Sequence, residues 1–149
     1  MFFTTGRNVK YFGDKCYRYS NTVHSALDYR GISQVDEIVN FVNLTFPEIG
    51  FNSILFNYYP NSTCIIPDHS DNETEIDNDS FILTLTLGFA RSFIFKQAVD
   101  RKIIFSTTPL NGEFIVFSKN SQKKFSHGIP AASKFSHYPR ISATFRNIS

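Results

Sequence analysis

The sequence predicts an α+β fold with a β-sandwich or jelly-roll core. One stretch near residue 40 has apolar residues at helical spacing. Beyond residue 50 the chain is a series of short runs, rich in β-branched and aromatic residues, whose side chains alternate with period two. A length of 149 residues suits one domain. One helix followed by many short strands is typical of an α+β architecture.

The predicted helix lies between Ser33 and Pro47. Ser33 followed by Asp36 is a variant of the capping box, which starts a helix. Apolar side chains then recur at i, i+3, i+4 and i+7, at Val35, Ile38, Val39 and Val42. We expect this helix to support the sheet without any chemistry of its own.

Six strands are predicted after the helix, because each run is short, alternates, and is bounded by turn-forming residues. They cover residues 54–59, 81–87, 92–96, 103–106, 113–117 and 141–145. Gly88 and the segments 109–112 and 128–130 are predicted to be turns between them.

Charge and cysteine content narrow the function classes. A formal charge of +2 gives no global electrostatic case for nucleic-acid binding, so any basic groove must be local. The basic side chains that could contact phosphates are Arg7, Lys10, Lys119, Lys123 and Lys124. The apolar runs are too short to cross a bilayer. With no recognisable secretory signal and only Cys16 and Cys64, we expect reduced thiols and a cytoplasmic location.

His69 and Asp71 stand two residues apart in an acidic segment that would by itself suit a solvated loop. His127 is a third candidate ligand, because a rolled sheet can return it beside an earlier strand end. Two histidines and one carboxylate form the facial triad of non-haem Fe(II) oxygenases, which leaves coordination positions open. His137 lacks the His-x-Ile-Pro context of His127 and is the weaker candidate.

Arg140 and Arg146 share one face of the last predicted strand, since side chains alternate along a strand. Arginine pairs with carboxylates through two hydrogen bonds, so two inward-facing arginines indicate an anionic ligand, and a dicarboxylate fits. The alternative is a pair of solvent-facing arginines on an edge strand.

Together these motifs resemble the AlkB family of Fe(II)/2-oxoglutarate dioxygenases, and most of all the AlkB-type domains in replication polyproteins of plant RNA viruses. The resemblance covers about residues 17–146. The motifs that carry it, in family order, are Asn57-x-Tyr59, His69-x-Asp71-x-Glu73, 83–88, Phe93-x-Phe95, Gly112-Glu113, His127-x-Ile-Pro130 and 140–146.

The resemblance implies a double-stranded β-helix (jelly-roll) core at about 51–149, with about 1–50 as helical support and substrate lid. It implies that iron is held by His69, Asp71 and His127, and that 2-oxoglutarate is bound by Arg140 at its distal carboxylate, by Arg146 at its metal-chelating end, and by Asn57 and Tyr59. Glu73 would read the exocyclic amine of a damaged base. Stacking on the base would fall to Tyr17 or Tyr19, with Tyr11, Phe12 or a histidine as alternatives.

The implied function is oxidative demethylation of 1-methyladenine and 3-methylcytosine in single-stranded nucleic acid, with RNA expected and DNA as the alternative. The cosubstrates would be 2-oxoglutarate and O2. Other functions left open are 6-methyladenine demethylation in RNA, hydroxylation of protein side chains, and a non-catalytic binding module. We expect a monomer or a part of a larger polyprotein.

Overall fold

The computed structural model describes residues 6–19 and 21–149. Within these ranges the chain forms one α-helix, one 3-10 turn and a set of short strands. In chain order they are β1 (Asn8–Gly13), β2 (Tyr17–Tyr19), β3 (Thr22–His24), α1 (Ser33–Thr45), β4 (Ser53–Tyr59), β5 (Ile66–His69), β6 (Phe81–Gly88), β7 (Phe93–Gln97), β8 (Ile103–Thr107), β9 (Phe114–Ser118), the 3-10 turn (Lys119–Lys123), β10 (Phe125–Ile129) and β11 (Arg140–Arg146).

The strands form two main antiparallel sheets. The major sheet has the order β1-β4-β11-β6-β9, and the minor sheet has the order β5-β10-β7-β8. A separate hairpin pairs β2 with β3. Strand β1 comes from the region predicted as N-terminal support, and it pairs with β4 at the edge of the major sheet. The sheets and the single helix confirm the predicted α+β fold with a jelly-roll core.

Alternation along β11 gives the major sheet two different faces. Ala143 and Phe145 join a buried apolar cluster on the outer face, where Val39 and Val42 of α1 pack against the sheet. The even-numbered residues of β11 point to the other face, where Arg140 and Arg146 are buried. The helix therefore supports the sheet from outside, as predicted, and leaves the inner face free for polar side chains.

The six predicted strands are confirmed as β4, β6, β7, β8, β9 and β11. The predicted turn at 128–130 is wrong, because Gly128 lies inside β10. A Cβ atom at Gly128 would stand 2.7 Å from Asp68 Oδ1 and 3.0 Å from the Ile66 carbonyl oxygen. Glycine is required at this position because β5 lies too close for a side chain, and not because the chain turns there.

The predicted capping box is also wrong in detail. The helix is capped by Ile32, which makes no side-chain capping bond, and Ser33 is already helical. Asp36 instead accepts a hydrogen bond from the Gly31 amide at 3.1 Å. The carboxylate therefore bonds to the backbone two residues before Ser33 and makes no capping box with it. In the described part of the chain, no helix has the length and apolar character needed to cross a membrane.

We predict that Leu83→Ala lowers the free energy of unfolding by about 2–5 kcal/mol, because Leu83 is fully buried in the cluster beneath α1. Leu44→Ala is the matched control, since Leu44 on α1 is 83% exposed and its loss should change stability by less than about 0.5 kcal/mol. Urea unfolding of both variants measures the difference. Equal losses in the two variants would contradict the described packing of the helix.

Candidate metal centre and cosubstrate pocket

Pairing of β5 with β10 brings two of the predicted ligands together. His127 is the register partner of His69, and their ring centroids are 4.4 Å apart. Asp71 follows the end of β5 and is 1% exposed. One possible ligand atom from each of the three residues lies within 4.8 Å of the others. The fold thus assembles the predicted triad from two neighbouring strands.

His69 is held in the tautomer that a metal requires. Its Nδ1 lies 2.9 Å from the Pro67 carbonyl oxygen. A carbonyl can only accept, so Nδ1 carries the proton and the lone pair of Nε2 is free to bind a metal. That Nε2 atom lies 3.4 Å from Asp71 Oδ1.

Asp71 is fixed through one of its two oxygens. Arg146 Nη2 donates to Oδ2 at 2.7 Å, and the Asp71 amide donates to Gln122 Oε1 at 3.1 Å. Burial by itself would raise the pKa of Asp71, but the positive charge of Arg146 holds it well below its usual range. Asp71 is therefore a carboxylate. Its Oδ1 has no hydrogen-bond partner among the described residues and lies on the His69 side.

His127 is surrounded by aromatic rings. Its imidazole stacks on Phe93 with centroids 5.2 Å apart and also contacts Phe95 and Phe117. Burial lowers the pKa of His127 to about 4, so the ring is neutral at physiological pH. At His69 burial also opposes the charged form, but the negative charge of Asp71 beside the ring outweighs it and raises the pKa. At neutral pH a larger fraction of His69 than of His127 is protonated, so metal binding displaces a proton mainly from His69.

The three donors fit an iron ion. Within the described ranges, the buried Asp71 Oδ1 and His127 Nδ1 have no hydrogen-bond partner, although buried polar atoms are normally satisfied. Two imidazoles and one carboxylate suit Fe(II), and they leave positions for further ligands. A metal bound here would satisfy the carboxylate oxygen that the protein leaves without a partner.

Arg140 lies in the interior, on the central strand β11 between β4 and β6, so the edge-strand alternative is wrong. It is 1% exposed, donates to Thr86 Oγ1 at 3.1 Å, and lies over the Tyr59 ring at 5.2 Å. Its Nε and Nη1 have no partner among the residues described. A buried guanidinium with free donors is suited to the carboxylate of a bound ligand.

A cavity joins the triad to the inner face of the major sheet. Its walls include His69, Asp71, His127, Arg146, Asn57 and Tyr59. Asn57 is buried and accepts a hydrogen bond from Arg7 Nε at 2.9 Å. Tyr59 is fully buried, and its hydroxyl has no partner in the described part of the chain. The residues predicted to bind 2-oxoglutarate therefore lie around or beside one cavity next to the triad.

The predicted substrate residues differ in where they lie. Glu73 and Tyr19 line an outer cavity together with Arg7 and His69. The Tyr19 ring meets His69 edge-on at 6.2 Å. Tyr17 is 1% exposed and packs against the Arg146 guanidinium at 5.4 Å. Tyr19 thus lies nearer the outer cavity, and a substrate role for these three residues stays a prediction.

Lys119 corrects an expectation from the sequence. It was predicted to be a surface residue that contacts phosphates, but it is 1% exposed and donates to the Glu73 carbonyl oxygen at 2.7 Å. Lys123 and Lys124 are exposed. His137, the weaker ligand candidate, is exposed and lies edge-on to Phe135. The contacts of Gln122 with Asp71 and of Thr86 with Arg140 were not predicted, because no sequence pattern marks them.

The chain is similar to known proteins in sequence and in fold. Residues 4–146 match the family model for the 2OG-Fe(II) oxygenase superfamily. The DNA oxidative demethylase ALKBH2 of Homo sapiens is 28% identical over 105 residues, which are 66% of this chain and 40% of that protein. The chain thus spans about two fifths of the length of this curated relative. A solved structure, "The structure of OsALKBH1", matches with a TM-score of 0.61 over 95% of this chain and 78% of that chain, at 15% identity, which shows a common fold.

We predict that the metal-free protein loses up to roughly 3 kcal/mol of stability between pH 6.5 and 4, because His127 titrates at about 4 when folded and near 6.5 when unfolded. In that window His127 is protonated in the unfolded chain but neutral in the folded protein. The free energy of unfolding therefore decreases as the pH falls. His69 has a raised pKa and changes stability above its ordinary pKa, outside this window. Burial raises the pKa of Glu73, which offsets part of the loss, and lowers that of His24, which adds to it, so a His127 variant is needed to isolate the share of His127.

Urea unfolding across this pH range, with wild-type protein and two variants, checks the prediction. His127→Gln should flatten the slope, whereas His137→Gln, at an exposed position, should keep it. An unchanged slope in His127→Gln would contradict the assignment of the acid loss to His127.

Proposed function

The chain belongs to the 2OG-Fe(II) oxygenase superfamily, and we propose that it oxidatively removes methyl groups from N-methylated nucleobases in single-stranded nucleic acid. The observation that supports this proposal most directly is the position of Glu73. Glu73 lines the outer cavity together with His69, and its buried Oε2 has no hydrogen-bond partner among the described residues. An acceptor in that position suits the exocyclic amine of adenine or cytosine.

Fe(II) and 2-oxoglutarate are the cofactors of this family, and with O2 they supply the oxidation of a methyl C–H bond, with succinate and carbon dioxide as coproducts. The hydroxylated N-methyl group then leaves as formaldehyde. His69, Asp71 and His127 would hold the iron. Arg140 would pair with the distal carboxylate of 2-oxoglutarate beside Tyr59, and Arg146, with Asn57, would contact the end nearer the metal.

The surrounding residues of the chain orient the reactants and exclude water. Arg146 fixes Asp71 through Oδ2, which leaves Oδ1 for the metal. Phe93, Phe95 and Phe117 surround His127 and keep that side of the site dry. Positioning and desolvation of this kind are the protein's share of the catalysis.

A single-stranded substrate fits because an unpaired base costs less to place in a pocket than one drawn from a duplex. Lys123 and Lys124 are exposed and available for phosphates, while the net charge of +2 keeps any such contact local. The relative ALKBH2 is named a DNA oxidative demethylase, which supports a nucleic-acid substrate. RNA as the nucleic acid, 1-methyladenine and 3-methylcytosine as the bases, a cytoplasmic location and a place in a viral polyprotein stay predictions.

The test measures succinate and formaldehyde from iron-loaded protein with 2-oxoglutarate and single-stranded RNA or DNA carrying 1-methyladenine, 3-methylcytosine or 6-methyladenine. We expect both products in equal amounts, and loss of both in Asp71→Ala, because that variant lacks the carboxylate ligand. Asp79→Ala, at an exposed acidic position of the same segment, should behave as wild type.

Other outcomes separate the alternatives. Succinate that forms only with protein substrates and without formaldehyde from nucleic acid would contradict base demethylation and favour a protein hydroxylase. Products that persist in Asp71→Ala would contradict the assigned metal centre.

A further inference from the structure

We propose that Lys119 is a positioning residue that fixes Glu73 in the outer cavity and thereby sets the preference for substrates with an exocyclic amine. This inference rests on the proposed function, in which Glu73 reads the base. It concerns a residue of the 3-10 turn between β9 and β10, outside the metal and cosubstrate ligands.

The position of Lys119 is unusual for a lysine. The residue is 1% exposed, and its Nζ donates to the Glu73 carbonyl oxygen at 2.7 Å and lies 3.4 Å from Asn72 Oδ1. No carboxylate in the described part of the chain forms an ion pair with it. Burying an ammonium without an ion pair is costly, and an apolar side chain would fill the same space at lower cost. What the ammonium provides in this position is its hydrogen bonding to residues 72 and 73.

Gln122, in the same 3-10 turn, holds the other end of this segment. It is 2% exposed, and its Oε1 accepts the hydrogen bond from the Asp71 amide. The turn itself is fixed, because the Ser118 hydroxyl accepts from the Ser121 amide at 3.2 Å and the Lys119 amide donates to the Ser80 carbonyl oxygen at 2.9 Å. One rigid turn therefore fixes both ends of the segment 71–73.

The two ends of that segment depend on Lys119 to different degrees. Asp71 is also held by Arg146 through a 2.7 Å ion pair and lies 3.4 Å from His69. Glu73 is held, within the described residues, by Lys119 at its carbonyl oxygen and by a weaker 3.3 Å bond from the Ile76 amide. Its side-chain Oε2 has no partner that would keep it in place. Loss of the ammonium should therefore displace Glu73 and leave the metal ligand where it is.

The experiment compares two bases that differ at the group Glu73 would read. One oligonucleotide carries 3-methylcytosine, and the other carries 3-methylthymine, in which a carbonyl replaces the amino group. In Lys119→Met, which keeps the length of the side chain and loses its donors, kcat/KM for 3-methylcytosine should fall roughly tenfold while that for 3-methylthymine changes less than about twofold. Succinate formed without nucleic acid, and the affinity for Mn(II) with 2-oxoglutarate, should match wild type.

Two further variants make the assignment specific. Lys102→Met, at an exposed lysine, should leave both bases unaffected. In a Glu73→Gln background, Lys119→Met should cause no further loss of discrimination, because a residue that acts through Glu73 has nothing left to position. Lys119→Gln replaces the methionine variant if that variant does not reach the wild-type melting temperature.

The outcomes distinguish this inference from the proposed function. Wild-type protein that demethylates 3-methylcytosine, with the same base preference in Lys119→Met, would overturn the role of Lys119 alone. An equal fall for both bases, or a loss of Mn(II) affinity, would likewise overturn it in favour of a structural role. Wild-type protein that forms succinate but demethylates no base would overturn the proposed function, and the role of Lys119 with it.

Discussion

The buried ion pair between Asp71 and Arg146 connects the two halves of the site. Its charged atoms are 2.7 Å apart and its side chains are 1% and 4% exposed. Removing two such charges from water costs several kcal/mol per ion, so the pair persists only with good geometry and further contacts. The rings of Tyr17 and Tyr19 cover the guanidinium at 5.4 and 6.0 Å, and Gln122 holds the Asp71 backbone. Because Arg146 ends β11 and Asp71 follows β5, the pair joins the major sheet to the strand that carries His69.

Part of the inner face of the major sheet carries polar side chains, beside a buried apolar cluster that includes Tyr59, Phe93 and Phe95. Sandwiches usually fill the space between their sheets with apolar side chains. Here that space receives the hydroxyls of Thr84, Ser142 and Thr144, the Asn57 amide, and two buried arginines. The unsatisfied donors of Arg140 and the unsatisfied oxygen of Asp71 reduce stability unless an anion and a cation satisfy them. Unsatisfied buried groups of this kind concentrate at functional sites. Asp71 lines the cavity, and Arg140 lies behind Tyr59, which lines the same cavity.

Much of this arrangement could be predicted from the sequence, because period two and β-branched residues mark β4, β6 and β11, and because the triad and the two arginines have recognisable spacing. Other parts depend on tertiary contacts. Strand β5 contains Pro67 and Asp68 and carries no alternation, so only its pairing with β10 makes it a strand. Gly128 is a residue type typical of turns, and its role becomes visible only in the fold, where a Cβ atom would stand 2.7 Å from Asp68 Oδ1 of β5. Lys119 has the chemistry of a surface residue, and its burial follows from the 3-10 turn that no pattern predicts.

We infer that the triad and the two arginines form one cofactor site, and thermal unfolding tests this arrangement directly. Metal-free protein is heated alone, with Mn(II) as a redox-stable substitute for Fe(II), with 2-oxoglutarate, and with both. We expect the two ligands together to raise Tm by more than the sum of their separate effects, since a metal-chelated dicarboxylate links both sets of residues. We expect Arg140→Met to lose this synergy while the effect of Mn(II) alone persists. Additive shifts in wild-type protein, or undiminished synergy in Arg140→Met, would contradict a single cofactor site.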